Sequence, residues 1–358
     1  MRGNSIMIIK KLLSKLFFLF SRTNLIIKNY KLDKSYKYVW GMKKSGKYLR
    51  SSEKREKIIY LEDGFIHSYG SKKSLTPLSI SCDRNGVFYD RKSNSELFSH
   101  INKDLSEDNI LRARQIINLW KEYSISKYNF ANSIDPPNEP YILLVDQTYG
   151  DLSISYGGAN ESSFQDMFDF ASKNWPDHKI LLKIHPDVIK SLKNGCINKN
   201  NYNKKNVIVI DKLGQINNLI KNSSAVCVVT SQIGFEALIY GKEVHVFGNP
   251  FYSGFGLTVE HNNFDFSEVK KKVLIEQLVF GTLVMFLKYL DPRTMKNCEV
   301  EEIMEFIKMN RDISEFFPVN LQAIDLTPWK ARQINRFIYQ ATEKKVGFFK
   351  GFEKTMKN

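Results

Sequence analysis

From Ile58 onward, short apolar runs alternate with segments in which apolar residues recur every three or four positions. "IIYLEDGF" reads as a strand ending in an acidic turn at Glu62, Asp63 and Gly64. "LSISCDRNGVFYD" reads as two short strands joined at Asn85-Gly86, a dipeptide that tolerates the positive φ angles of a tight hairpin. In "SEDNILRARQIINLWKEYSISKY", the spacing of Ile110, Leu111, Ile116, Ile117, Leu119 and Trp120 predicts a helix with one buried stripe. "SIDPPNEP", at 133–140, resists regular structure and is expected to link two domains.

The second half opens with "YILLVDQ", a continuous apolar run of the kind buried on both faces of a parallel sheet. A helix is expected near Asn160, which can cap its free N–H groups, with Phe164, Met167, Phe168 and Ala171 on the inner face. "HKILLKIHPD", "NVIVID", "AVCVVTSQ" and "EVHVFG" are further strands, with "GQINNLIKNS" and "GFEALIYG" as helices between them. Strand and helix alternating at this spacing predict a right-handed parallel sheet covered on both faces. The expected class is α/β. Its divisions are a basic amphipathic segment at 1–30, a Rossmann-like domain at 31–135, a second at 136–290 and a helical tail at 291–358.

Charge changes the picture at the ends. The formal net charge is +15, but residues 1–57 hold 16 Lys and Arg against 3 acids. The last thirty residues hold 8 against 2, which leaves the middle with 29 bases against 33 acids. The termini are therefore expected to meet an anionic surface. "IMIIKKLLSKLFFLFSRTNLIIKNYK" mixes Leu, Ile and Phe with Lys10, Lys11, Lys15 and Arg22. Its longest apolar run is five residues, against the roughly 20 needed to span a bilayer. A helix lying in the membrane plane with snorkelling lysines is expected, the plainer alternative being a core helix with a solvated edge. The basic ends lack interleaved aromatic platforms, which argues against nucleic acid. Cys82, Cys196, Cys227 and Cys298 form no CxxC pair, so neither a disulfide framework nor a zinc site is expected. A reducing cytoplasm is the natural setting.

Loops at the carboxyl ends of parallel strands share one sheet edge and can meet around one crevice. In "KIHPDV", Pro186 holds His185 in an extended turn, where His185 can donate to a phosphate oxygen beside the charge of Lys183. "TSQIGFEAL" starts a helix: Thr230 or Ser231 can cap it, Gly234 can admit a ligand to the backbone, and Glu236 can accept from ribose hydroxyls. "DQTYGDLSI" sets Asp146 and Asp151 around Gln147 and Gly150, and carboxylates serve glycosyl chemistry as nucleophile, acid or base. Taken singly, each loop also fits a structural role.

Taken in order, "VWGMKKSGKY", "LEDGFIHSYG", "PLSISCDRNGVFYD", "VDQTYGDLSISYGGA", "KIHPDV", "TSQIGFEALIYGKEVHVFGNPFYSGFGLT" and "YLDPRT" resemble the capsule polysaccharide β-Kdo transferases across about residues 38 to 300. The resemblance implies a bacterial GT-B glycosyltransferase with two lobes facing a central cleft. It implies CMP-Kdo as donor substrate, no metal or other cofactor, and transfer with retention onto a glycolipid or Kdo-terminated acceptor. Asp151 stands at the family's "QTxGD" position and is the implied nucleophile, with Asp146 second. Glu62 or Asp63 is the implied base. His185 and Lys183 would face the departing phosphate, with Ser231, Gly234 and Glu236 around phosphate and ribose.

Members of the family often carry Arg where this chain has His67, beside Gly64 and Ser68 in the expected substrate contact, and His cannot grip a carboxylate in the two-pronged manner of Arg. The resemblance also implies a peripheral position on the inner face of the cytoplasmic membrane. A second Kdo transferase and the capsule export complex are the implied partners. Two rivals remain at this stage: a GT-B enzyme with another donor, such as CMP-sialic acid or CDP-glycerol, and a membrane-docked glycan-binding module without turnover.

Overall fold

A computed structural model describes residues 22–42, 57–69, 76–129, 132–262 and 272–316. The chain folds around two main sheets. The front sheet has the order β1 (Lys37–Trp40), β2 (Ile58–Asp63), β4 (Ser79–Asp83), β12 (Leu287–Asp291) and β13 (Lys296–Cys298). β1 and β2 are parallel, and every later pair is antiparallel. The rear sheet is parallel throughout: β11 (Val259–Glu260), β10 (Glu243–Val246), β9 (Ala225–Val228), β6 (Tyr141–Val145), β7 (Lys179–Lys183) and β8 (Val207–Ile210). A short parallel pair, β3 (Ser68–Tyr69) and β5 (Tyr128–Asn129), lies apart from both.

β6 is buried along its whole length, as expected for a central strand covered on both faces. Asn160 caps the helix Glu161–Asn174, whose Phe164, Met167, Phe168 and Ala171 pack on that sheet. The helix Glu107–Glu122 buries Ala113, Ile116, Ile117 and Trp120, whereas Leu111 points to solvent.

Three expectations change. The front sheet is mixed, and it is completed by strands that return after the rear lobe, so the boundary drawn at 290 falls inside β12. The open edge of β4 requires a partner, and the apolar strand of "LKYLD" supplies it. The hairpin expected at Asn85-Gly86 does not form. Asp83 instead accepts from the backbone N–H of Asn85 (2.8 Å) and from the Ser95 hydroxyl (2.5 Å), which turns the chain toward the next helix. Finally, residues 22–29 are helical with Ile26 in the core and Tyr30 beyond the last turn, beside Trp40, Leu61 and Leu290. This end of the expected membrane segment therefore belongs to the front lobe, while 1–21 and the basic tail beyond 316 lie outside the described residues. No helix among the described residues is long and apolar enough to cross a membrane.

The lobes join through apolar rings. Phe65 of the front stacks on Phe251 at 4.5 Å between centroids, and Phe235 of the rear packs on both Phe251 and Trp120. Above this joint the sheets diverge.

Candidate active site

The divergence leaves a cavity of about 510 Å³. Glu62 and Asp63, at the end of β2, line its front. Asp146, Gln147, Gly150 and Asp151 after β6, Lys183 to Pro186 around the exit of β7, and Thr230, Ser231 and Glu236 after β9 line its rear. The acidic turn and the strand exits thus face one hollow.

The rear polar residues largely satisfy one another. Gln147 donates to the Thr230 hydroxyl (3.0 Å) and accepts from the Thr230 N–H (2.9 Å), so the donors expected to meet a phosphate at Thr230 instead tie β6 to β9. Asp146 accepts through Oδ1 from the backbone of Gln147, Cys196 and Ile197, at 2.9, 2.9 and 3.0 Å, and burial pushes its carboxyl up to about 6. It anchors the 195–197 loop. Lys183 donates to the carbonyls of Ile184 and Lys212, and burial lowers its ammonium to about 8. The Ser231 hydroxyl accepts from the Ile233 N–H at 3.3 Å, just ahead of the following helix, whose N-cap is Gln232.

His185 is better placed for chemistry. It caps the turn Pro186–Ile189, its Nδ1 accepting from the Asp187 N–H at 3.0 Å. Burial lowers its pKa to about 4. The ring is therefore neutral near pH 7, with its proton on Nε2 as a donor. Asp151 caps the helix Leu152–Tyr156, where Oδ1 accepts from Ser153 N–H at 3.0 Å and Oδ2 accepts nothing among the described residues. A carboxylate with one oxygen fixed and the other open has the geometry of a nucleophile.

On the front wall Glu62 accepts from the Tyr89 hydroxyl at 3.0 Å, and Gly41, at φ +49°, brings the backbone of the "VWGM" turn against it. Asp63 is held from behind by Arg22 (2.7 Å) and His67 (3.3 Å). Burial raises its pKa, but His67 and Arg22 outweigh that and keep it well below the usual carboxylate range.

Four expected contacts fall outside the cavity wall. His67 is buried behind Asp63 and orients it, so it does not reach a substrate. Ser68 is buried in β3, its backbone bonded to Lys127 and Asn129. Gly64 leaves room for Ser79, and a Cβ at Gly234 would overlap the Tyr252 hydroxyl. Glu236 does reach the wall, but its carboxylate accepts from the Ser126 hydroxyl (2.8 Å) and the Lys127 N–H (3.1 Å), bridging the lobes, and burial pushes it up to about 7. Lys127, Tyr128 and Tyr89 also line the cavity. Sequence patterns pointed to none of them, because a lone Lys-Tyr after a helix carries no motif. Among the described residues, no group of three or more His, Cys, Asp or Glu gathers to hold a metal.

Two α/β lobes facing a cleft lined by strand-exit loops define a protein of the GT-B glycosyltransferase type. The chain belongs to the capsule polysaccharide biosynthesis protein family, whose model matches residues 94–287. It is similar to the KpsC β-Kdo 2,4 transferase of Thermosulfurimonas dismutans, with 30% identity, a TM-score of 0.70, and coverage of 76% of this chain and 86% of that one. The KpsC β-Kdo 2,7 transferase of the same organism matches with 26% identity and a TM-score of 0.58, over 76% of this chain and 83% of that one. The capsule polysaccharide modification protein LipA of Neisseria meningitidis serogroup A is 29% identical over 307 residues, 81% of this chain. The chain spans 44% of LipA, about half the length of such curated relatives.

Proposed function

We propose that this chain is a retaining β-Kdo transferase, which moves Kdo from CMP-Kdo onto a glycolipid or Kdo-terminated acceptor in capsule synthesis. Supporting the proposal above all is the convergence of Asp151, Glu62 and His185 on one cavity. In the first step the open Oδ2 of Asp151 attacks the anomeric carbon, and the bond from that carbon to the phosphate oxygen breaks with its electron pair leaving on CMP. The His185 Nε2–H donates to the departing phosphate. In the second step an acceptor hydroxyl gives its proton to Glu62 and attacks the glycosyl ester, releasing Asp151. Two inversions restore the starting configuration.

Glu62 takes the base role over Asp63 because Asp63 is engaged by Arg22 and His67 and held ionised at low basicity. The basic ends supply the attraction for an anionic inner-membrane surface, where the acceptor lipid and the export partners would meet the enzyme.

The test is incubation with CMP-Kdo and a synthetic Kdo-terminated glycolipid, read by product mass and anomeric configuration. One or more added Kdo residues in the β configuration are expected. Turnover of CMP-sialic acid or CDP-glycerol in place of CMP-Kdo overturns the donor assignment.

A further inference from the structure

We propose that Lys127 holds the carboxylate of the transferred sugar and makes the site selective for an acidic, ulosonic-type donor; this deepens the transferase proposal and rests on it. The backbone of Lys127 is clamped from both lobes. Its N–H donates to the buried Glu236 at 3.1 Å, and its carbonyl accepts from His67 N–H (2.9 Å) and Ser68 N–H (3.3 Å). The neighbouring Ser126 hydroxyl donates to the other Glu236 oxygen. Four bonds thus fix where one lysine leaves the backbone, and its side chain lines the cavity.

The ammonium makes no hydrogen bond or ion pair with any described residue, and it stands over the Tyr128 ring, 5.8 Å from Nζ to centroid. Of the neighbouring cations, Lys193 lines the cavity on the side of His185, and two others are engaged. Arg22 is paired with Asp63, and Lys183 donates to two carbonyls. Burial lowers the Lys127 pKa, but Tyr128, Asp63, Asp151 and Glu62 outweigh it, so the ammonium stays charged.

The chemistry then requires it. Kdo carries a carboxylate on its anomeric carbon, and that carbon must approach the Asp151 carboxylate while Glu62 and Asp63 stand opposite. A further anion brought beside Asp151 and Glu62 would be repelled without a cation between them. Lys127 shares the cavity wall with all three acids and with His185, so its side chain borders the space where sugar and leaving group would part. Glu236, the acid first assigned to ribose, is here the residue that positions Lys127.

Calorimetry with CMP and with CMP-Kdo, on the wild type, Lys127→Gln and Lys127→Arg, tests the assignment. Lys127→Gln is expected to bind CMP with nearly unchanged affinity and CMP-Kdo roughly 10- to 100-fold more weakly, the effect of removing one charge-assisted bond. Lys127→Arg should recover part of the loss. In the wild type, free Kdo should compete with CMP-Kdo while its methyl ester does not, a measurement that needs no variant to fold. Equal weakening of CMP and CMP-Kdo would assign Lys127 to the phosphate and overturn the proposal, as would equal competition by acid and ester. A wild type that binds CMP but not CMP-Kdo removes the Kdo-donor reading itself.

Discussion

The two walls of the cavity are built differently. At the rear, polar residues sit at strand exits and bond mostly to one another: Gln147 to Thr230, Asp146 to the loop at Cys196 and Ile197, Lys183 to two carbonyls. At the front, Glu62, Asp63 and Lys127 face the cavity and are held from behind by Tyr89, Arg22, His67 and Glu236. The rear wall is a stiff cradle with few open donors, His185 foremost. The front wall presents charge. In the proposed mechanism, rear residues therefore act largely through stability, and front residues, with Asp151, act through chemistry.

The largest test of that contrast is Asp151→Asn beside Glu62→Gln. Removing the proposed nucleophile should cut transfer by more than roughly 10⁴-fold, and removing the proposed base by roughly 10²- to 10⁴-fold, with thermal midpoints little changed. Product formation from CMP-Kdo is the readout, and normal turnover in the Asp151 variant would remove the residue from its role. Next comes Gln147→Ala. It strands the buried Thr230 N–H, while the Thr230 hydroxyl keeps its contact with Ser153, and should cost about 1–3 kcal/mol in urea unfolding. A Gln147 variant of native stability but no activity would move this residue from cradle to chemistry.

The smallest effect is a pH slope. Glu236 has its pKa raised to about 7 in the folded protein, so the folded state binds the proton more tightly than the unfolded chain does. The associated stability is present below about pH 4.5 and is lost as pH rises through about 7. Asp146, raised to about 6, adds to the same window. Thermal midpoints of the wild type should fall across that range, and Glu236→Gln should flatten the fall in part. A slope unchanged by the substitution would mean that Glu236 is not the titrating bridge.

The contrast also governs what could be read before the fold was known. The rear strands were legible because "YILLV" and "AVCV" are continuous apolar runs, and their exits follow at once in the chain. The acidic turn at Glu62 and Asp63 was legible for the same reason. The hairpin expected at Asn85-Gly86 failed because Asp83 captures the turn's N–H and the next helix cap, a competition that the dipeptide itself does not reveal. β12 follows a π-helical turn, Phe280–Phe286, inside one long apolar stretch that reads as helix throughout. Lys127 was invisible, since the acid that positions it lies 109 residues away.

The return of the chain to the front sheet has a consequence for biosynthesis. One flank of β4 stays bare until residues 287–291 have left the ribosome, after the whole rear lobe has been made. The first-synthesised half therefore cannot reach its final form on its own, and a product halted before β12 would expose an unpaired edge prone to aggregation. Here a late-made strand, β12, returns to the first-made sheet, so the front wall of the cavity is complete only after the rear lobe has been synthesised.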